Sequence, residues 1–587
     1  MPTLHWIGKD KVINHHAEVP FRVLQHKYGY RGEQPADKTA TQGGNKIIHG
    51  DNLEALKALL PEYEGRVDCI YIDPPYNTGN EGWVYNDNVN DPHIRKWLGE
   101  VVGAEGEDLS RHDKWLCMMY PRLRLLQQLL SENGVIFISI DDNELYNLKQ
   151  ICDEVFGSAC FVGDVSWQRT YSMRNDSKGL PSEVEHILAY SKVQQWEPLS
   201  LPRTAEMDKN YKNPDKDIRG EWQNTSAFAP DAITHQGMVY AIQHPFTGEL
   251  IYPTMSAHWR YSQEAMLGYM NEWTEYKLAN LNDDVERAAI CGVSVEEVKK
   301  DVLAIMICKT IDEAKADAKK VYERGNWPKF FFTNGGKGGI RRKTYLSGLK
   351  GKKVTNFWPF SEVGHTDEAK KELISIFGGK APFDTPKPTR LLERMLSIAT
   401  GKDSIVLDSF AGSGTTAHAV MMRNKEDGGN RKFILIELMD YAESITAERI
   451  RRVMNGYGEG KKAVEGLGGS FDYYELGEPL FNEDGTLNEA VGADKIRAYV
   501  YYTETHQHLA RQQDTDYPYL LDYHGGTGYF FYYEPDNVTT ISYDILHIVP
   551  QKAEHYVIYA DVCTLGKEQL AKMNIVFKKI PRDINRF

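Results

Sequence analysis

The chain has 587 residues, 41% hydrophobic and 26% charged, with 83 acidic against 69 basic side chains and a formal charge of −14. That length accommodates two to four domains, and the composition is that of an ordinary soluble globular protein. The acidic balance announces no nucleic-acid partner, so any basic surface has to be local.

Seven cysteines stand at 69, 117, 152, 160, 291, 308 and 563, without any CxxC pair, which argues against a zinc ribbon or a disulfide framework. Their odd number and low density suit reduced thiols, and a cytoplasmic location is expected. The opening MPTLHWIGKDKVINHHAEVPF has no apolar core, so no secretion signal is expected. No stretch approaches the length of a membrane span.

Residues 1–44 read as a polar lead-in ending in ADKTATQGG. From 45 to 195 strands alternate with helices. KIIHGD is a short strand, NLEALKALLPEYEG an amphipathic helix, and RVDCIYID an apolar run fit for a strand covered on both faces. DKWLCMMYPRLRLLQQLLSENG is a helix with a proline kink or start, VIFISID a strand, ELYNLKQICDEVFG a helix and EHILAYSK a strand. This alternation predicts a doubly wound, mostly parallel α/β sheet. It fails from 196 to 380, where a long mixed-charge helical stretch is expected over 262–325, followed by a Gly/Lys-rich piece. It returns over 381–460 with the helix FDTPKPTRLLERMLSIATG, the strand–turn–helix SIVLDSFAGSGTTAHAVMMRN, the strand KFILIEL and a helix from YAESITAERI. The tyrosine-rich tail, with YVYYTETH, YFFYYEP and HYVIYADVC, reads as strands of a separate α/β or mostly β domain over 461–587.

Gly412 and Gly414 stand between an apolar strand and a helix, where a tight turn brings backbone N–H groups close to a ligand. Glu437, ending the next strand, lies 23 residues beyond Gly414, near the ~20 of a ribose-binding acid. Gly412 to Ala417 also spells the dinucleotide pattern, so an NAD-dependent oxidoreductase is an alternative, as is a turn with no ligand. A P-loop is excluded, because no Gly-Lys-Ser/Thr follows. The turn indicates a nucleoside-containing cofactor without naming it.

Asp73-Pro74-Pro75-Tyr76 ends the apolar run at Cys69. The proline rings fix φ, and Pro75 holds Pro74 extended, so the Asp73 and Pro74 carbonyls point in set directions. A carboxylate and a neighbouring carbonyl form an acceptor pair suited to an NH₂ group, and Tyr76 offers a stacking face worth about 1–3 kcal/mol per base. The bland alternative is a capped proline turn. Two such devices at strand ends of one fold favour a pocket for an extruded adenine or cytosine.

DPPYNTGNE, ISIDDNE, FDTPKP and VLDSFAGSGTTAHAV together resemble the modification (Mod) subunit of Type III restriction–modification systems. These are β-class amino-group DNA methyltransferases, with the catalytic motif ahead of the cofactor motif. The resemblance covers roughly 45–200 and 355–455 strongly, and the tail less diagnostically. It implies a Rossmann-like S-adenosylmethionine-dependent methyltransferase fold, with its catalytic half at 45–195 and its cofactor half at 381–460. A target-recognition domain is inserted at 196–380. It implies that Asp73 and the Pro74 carbonyl bind an adenine amino group and that Tyr76 stacks on the flipped base. Gly412, Gly414 and their neighbours, from Asp408 and Phe410 through Ala411, Ser413, Thr415 and Thr416, would hold the methionine part of S-adenosylmethionine. Glu437 would hold its ribose. Asp51 would lie near its adenine, and Phe383, Asp384, Thr385 and Lys387 would pack over it. Nitrogen then attacks the sulfonium methyl directly, with alignment as the main source of rate and no metal required.

Residues 337–353 carry seven Lys or Arg and no acid. Arg341, Arg342, Lys343, Lys350, Lys352 and Lys353 are candidates for phosphate contacts to double-stranded DNA, against the alternative of a solvated loop. Trp222 and Trp259 add aromatic candidates. The reading is therefore an adenine-N6 DNA methyltransferase. Its rivals are a cytosine-N4 enzyme, disfavoured on the family resemblance by Asp rather than Ser at 73, and a catalytically silent recognition subunit. The family also implies a homodimer, and restriction would need a separate helicase–nuclease partner.

Overall fold

The computed structural model describes residues 3–32, 37–78, 111–171, 180–511, 513, 516–544, 549 and 553–582. The end of the DPPYNTGNE motif, 79–81, lies outside the described residues. The chain divides into two compact units, one formed by Met1–Leu199 with Val354–Phe587, the other by Ser200–Lys353. The inserted unit is thus shorter than the 196–380 expected. The Thr366–Phe377 helix belongs to the first unit.

The first unit is built on ten strands: β1 (Arg22–Tyr30), β2 (Lys46–His49), β3 (Val67–Ile72), β4 (Leu130–Ile140), β5 (Phe161–Gln168), β6 (Val184–Ser191), β7 (Phe357–Trp358), β8 (Ile405–Asp408), β9 (Lys432–Glu437) and β10 (Phe471–Pro479). Their order is β1-β10-β2-β9-β8-β3-β4-β6-β5-β7. The six from β10 to β4 run parallel, whereas β1 and β6 are antiparallel to their neighbours. Both faces of the centre are buried. Ile48, Ile70, Ile136, Leu407 and Ile434 face one core with the helices α1 (Asn52–Tyr63), α2 (Arg111–Leu129) and α3 (Leu145–Cys152). Their alternates Ile47, Tyr71, Phe137, Val406 and Phe433 are buried as well. A sheet covered twice needs near-continuous apolar strands, which is how these runs read.

Two expectations change and a third narrows. The lead-in contributes β1 and the tail contributes β10, so both ends of the chain complete the main sheet. α2 begins at Arg111 and contains Pro121, so of the two alternatives, kink or start, the proline is not the start. YVYYTETH is the end of a helix, Ala493–Thr505, because Ile496, Val500 and Tyr501 recur at helical spacing on a buried face; packing overrides the β preference of tyrosine. That helix accompanies a four-stranded sheet, Leu520–His524, Thr527–Phe531, His555–Ala560 and Ile575–Lys579, so the tail beyond β10 is α/β.

The inserted unit has its own core, with Trp222, Trp259, Trp273 and Phe330 to Phe332. A three-stranded sheet places Ile340–Tyr345 between Phe330–Phe332 and Trp222–Ser226. The stretch 262–325 is not one helical run. It holds three helices, Gln263–Met270, Asp284–Cys291 and Ile311–Arg324, separated by the strands Tyr276–Ala279 and Ala304–Ile307. A left-handed glycine, Gly292, ends the second of these helices, and Ile305 feeds the core instead.

Candidate active site

β3 and β8 are parallel neighbours, with Val406 opposite Cys69 and Leu407 opposite Ile70. The Asp73 loop and the glycine turn therefore leave the same edge of the sheet side by side. They share a cavity of about 720 Å³, lined by Asp73, Pro74, Tyr76, Asp408, Phe410 to Ser413, Thr415 and Thr416. Phe383, Thr385 and Lys387 line it too, as do Arg169, Tyr171, Glu185 and His365. The volume is within the ~300–1,000 Å³ of ligand sites.

The Asp73 loop is held from below. Trp115 Nε1 donates to the Pro75 carbonyl at 2.6 Å, and buried Glu144 accepts from the Asn77 amide, with Asn77 at φ 58°. The Pro74 carbonyl accepts no hydrogen bond among the described residues. The Asp73 carboxylate, 25% exposed, receives Lys387 Nζ at 2.8 and 2.7 Å on its two oxygens. It also accepts the Tyr76 hydroxyl at 2.8 Å, and Lys387 bonds that hydroxyl at 2.9 Å, 5.1 Å from the ring centroid. Burial pushes the Asp73 carboxyl above its ordinary range, Lys387 opposes that and Glu185 adds to it.

The glycine turn is left-handed at both glycines, with φ 50° at Gly412 and 79° at Gly414. A Cβ on Gly412 would meet Phe383 at 3.3 Å, and one on Gly414 the Thr446 carbonyl at 3.2 Å. Gly414 caps helix α5 (Thr415–Asp427), whose partner α4 (Thr389–Ala399) follows the FDTPKP segment. Glu437 fastens the turn from outside the cavity. Its carboxylate accepts Gly412 N–H at 2.7 Å and Met439 N–H at 3.0 Å. Burial pushes Glu437 and Asp408 up to about 7 each, and Asp408 also accepts Phe410 N–H at 3.0 Å.

Asp51, just past β2, is the N-cap of α1, bonded to Leu53 N–H at 2.8 Å and 3.3 Å from Arg122. Asp51 and Glu437 are absent from the cavity lining. So is Asp384, which lies on the surface 3.6 Å from Lys370. Sequence reasoning missed Glu185, a lone carboxylate on β6 with no local signal. It also missed Arg449, wholly buried behind the turn, which donates to Ser413 Oγ at 3.0 Å and Thr415 Oγ1 at 2.8 Å. No group of three or more His, Cys, Asp or Glu is arranged to hold a metal among the described residues.

The basic segment belongs to the inserted unit. Arg341, Lys350 and Lys353 are exposed, and Arg342 and Lys352 half-buried. Lys343 has to be corrected as a phosphate contact. It is buried, paired with Asp215 and with Asp217 at 2.6 Å, and donates to the Trp327 carbonyl at 2.8 Å. The strand turns its side chain inward, where no phosphate reaches it.

Residues 67–448 match the model of the DNA methylase family. The chain is 35% identical over 406 residues to the StyLTI Mod subunit of a Type III restriction-modification enzyme of Salmonella typhimurium, covering 67% of this chain and 52% of that one. It is 30% identical over 499 residues to the EcoPI Mod subunit of Escherichia phage P1, covering 79% and 66%. It is 29% identical over 409 residues to the Type II methyltransferase M.KpnI of Klebsiella pneumoniae, covering 69% and 82%. The chain thus spans about half to two thirds of the length of these Mod subunits.

Proposed function

The chain belongs to the DNA methylase family, and on that premise we propose that it transfers a methyl group from S-adenosylmethionine to the N6 of a flipped adenine in double-stranded DNA. Its place is that of the modification subunit of a Type III-like restriction–modification system. The observation that carries the proposal is the pairing of β3 with β8, which delivers an amino-group acceptor and a cofactor-type glycine turn to one cavity.

The residues present fit the cofactor. Gly412, left-handed and on the cavity lining, leaves room that a Cβ would fill, and Phe383 stands over it. When bound, S-adenosylmethionine supplies an electrophilic methyl on a sulfonium sulfur. The protein's own part is to bind and orient the base. An Asp73 oxygen and the Pro74 carbonyl accept the two amino protons, turning the nitrogen lone pair away from the ring. The Tyr76 face holds the base flat. Trp115 keeps the Pro75 peptide from swinging, so the acceptors are aligned before the base arrives, and alignment supplies the rate. The aspartate at 73 supports adenine over cytosine, on the family resemblance.

Arg341, Arg342, Lys350, Lys352 and Lys353 are proposed to contact phosphates, in a homodimer that a separate helicase–nuclease subunit joins for restriction. Among the described residues no helix is long and apolar enough to cross a membrane.

Modification-sensitive sequencing of DNA from cells expressing the wild type or Asp73→Ala tests the reading. N6-methyladenine at one motif, absent with the variant, is expected. N4-methylcytosine at one motif would replace adenine by cytosine as the target. Unmodified DNA from cells whose purified wild-type protein still binds S-adenosylmethionine would leave a recognition subunit.

A further inference from the structure

The acceptor built for the amino group is already engaged. Lys387 Nζ touches both Asp73 oxygens and the Tyr76 hydroxyl at 2.7–2.9 Å, so an amino group and this ammonium cannot use the same oxygens together. A second carboxylate waits beside it. Glu185 Oε2 is buried, accepts no hydrogen bond, and lies 3.7 Å from Lys387 Nζ, while Arg169 holds the other Glu185 oxygen at 3.0 Å. Leaving a buried carboxylate oxygen unbonded is costly, and such an atom calls for an explanation. A lysine head on a flexible stem can exchange one acceptor for the other without leaving the site.

We propose that Lys387 is a positioning residue that stands in for the substrate amino group at Asp73 and moves to Glu185 Oε2 when the base enters. The inference rests on the methyltransferase reading. It gives Lys387, which the motif assigned to the cofactor, a role toward the base. Arg169 stays on the other Glu185 oxygen throughout and Lys387 keeps within reach of both carboxylates, so the exchange leaves neither Asp73 nor Glu185 without a cation beside it. Among the described residues, the other titratable groups that act on Asp73 or Glu185 include Tyr71, Tyr76, Asp141 and Asp408, which supply no positive charge, and Arg169, which serves Glu185.

The test is a double-mutant cycle in methyl-transfer kinetics, on a duplex carrying the motif that the wild type methylates. Glu185→Gln removes the landing site, so Lys387 competes with the base. The KM for DNA is expected to rise about tenfold, the scale of a charge-assisted hydrogen bond, with a smaller fall in kcat. In a Lys387→Met background the same change should move KM by less than about twofold, because nothing remains to be relocated. Lys387→Met should also move the acid limb of the kcat/KM profile to higher pH, since Asp73 must be ionised to accept the amino group and has lost its cation. Lys387→Gln, close in length but uncharged, carries the same expectations should the methionine variant not fold. An equal KM penalty from Glu185→Gln in both backgrounds, or an unmoved acid limb in the folded Lys387 variants, overturns the inference while the methyltransferase reading stands. A wild type that methylates no duplex overturns both.

Discussion

Lys343→Met separates two accounts of one basic segment. In the inserted unit the Lys343 ammonium is wholly buried between Asp215 and Asp217, whose side chains are equally inaccessible. Removing one member of a buried ion pair costs about 3–5 kcal/mol, because the other charge is left uncompensated. Here the two carboxylates differ. Asp217 keeps Arg219, which donates to its two oxygens at 2.9 Å each, and the Tyr345 hydroxyl at 2.8 Å. Asp215 keeps only neutral donors, Trp222 Nε1 at 2.8 Å and Trp327 N–H at 2.7 Å. One uncompensated carboxylate rather than two puts the loss near the lower end, about 3 kcal/mol. Urea unfolding followed by tryptophan fluorescence reads it, since Trp222 and Trp327 flank the lysine. Adding Asp215→Asn should recover part of the loss. The reasoning is refuted if Lys343→Met unfolds within about 0.5 kcal/mol of the wild type while the salt dependence of DNA binding falls by about one charge, the signature of a lost phosphate contact.

Gly412→Ala forces a side chain into a left-handed residue, a cost of about 1–2 kcal/mol, and crowds Phe383. Titration calorimetry should show weaker S-adenosylmethionine binding, and unchanged affinity would remove the turn from the cofactor site. Gly414→Ala should lower the melting temperature further, because its Cβ meets the fixed Thr446 carbonyl. The buried Glu437 carboxyl titrates near 7 in the folded chain, above its unfolded value, so ionising it opposes folding. The protein without cofactor should therefore melt higher at about pH 5.5 than at about pH 8, and Glu437→Gln should narrow that difference; an equal difference in both proteins would count against it. Trp115→Phe leaves the buried Pro75 carbonyl without its donor, at about 1–3 kcal/mol, and should lower kcat for methylation. A kcat equal to that of the wild type would show that the loop needs no such anchor.

The two ends of the proposed reaction were readable because each is carried by contiguous residues. Asp73 to Tyr76 and Ala411 to Thr416 define their own backbone through proline and glycine, whatever the rest of the chain does. What joins them was not readable. Lys387 finds Asp73 across 314 residues of chain, and Glu185 sits on a strand whose pattern reports only burial. The basic segment misled for a related reason. A run of Lys and Arg looks the same in a solvated loop and on a strand, and the acids that draw Lys343 inward lie 126 and 128 residues earlier. The tail helix was hidden by composition, since tyrosines that favour strands also fill the buried face of Ala493–Thr505. Strand alternation announced the parallel sheet, yet β1 and β10 at its edge come from segments that lacked that alternation altogether.

The strand order has a consequence for how the molecule comes into being. β3 pairs on one side with β4, made soon after it, but its other side waits for β8, more than three hundred residues later. β2 waits likewise for β9 and β10. At ~5–20 residues per second, the emerging chain carries an open apolar strand edge for roughly 20–70 s before its neighbour is synthesised. During that interval the inserted unit, with its own core, can fold ahead of the rest of the chain. The acceptor loop meets the glycine turn only when β8 pairs with β3. A nascent chain that ends before β8 therefore presents half a sheet and an incomplete candidate site.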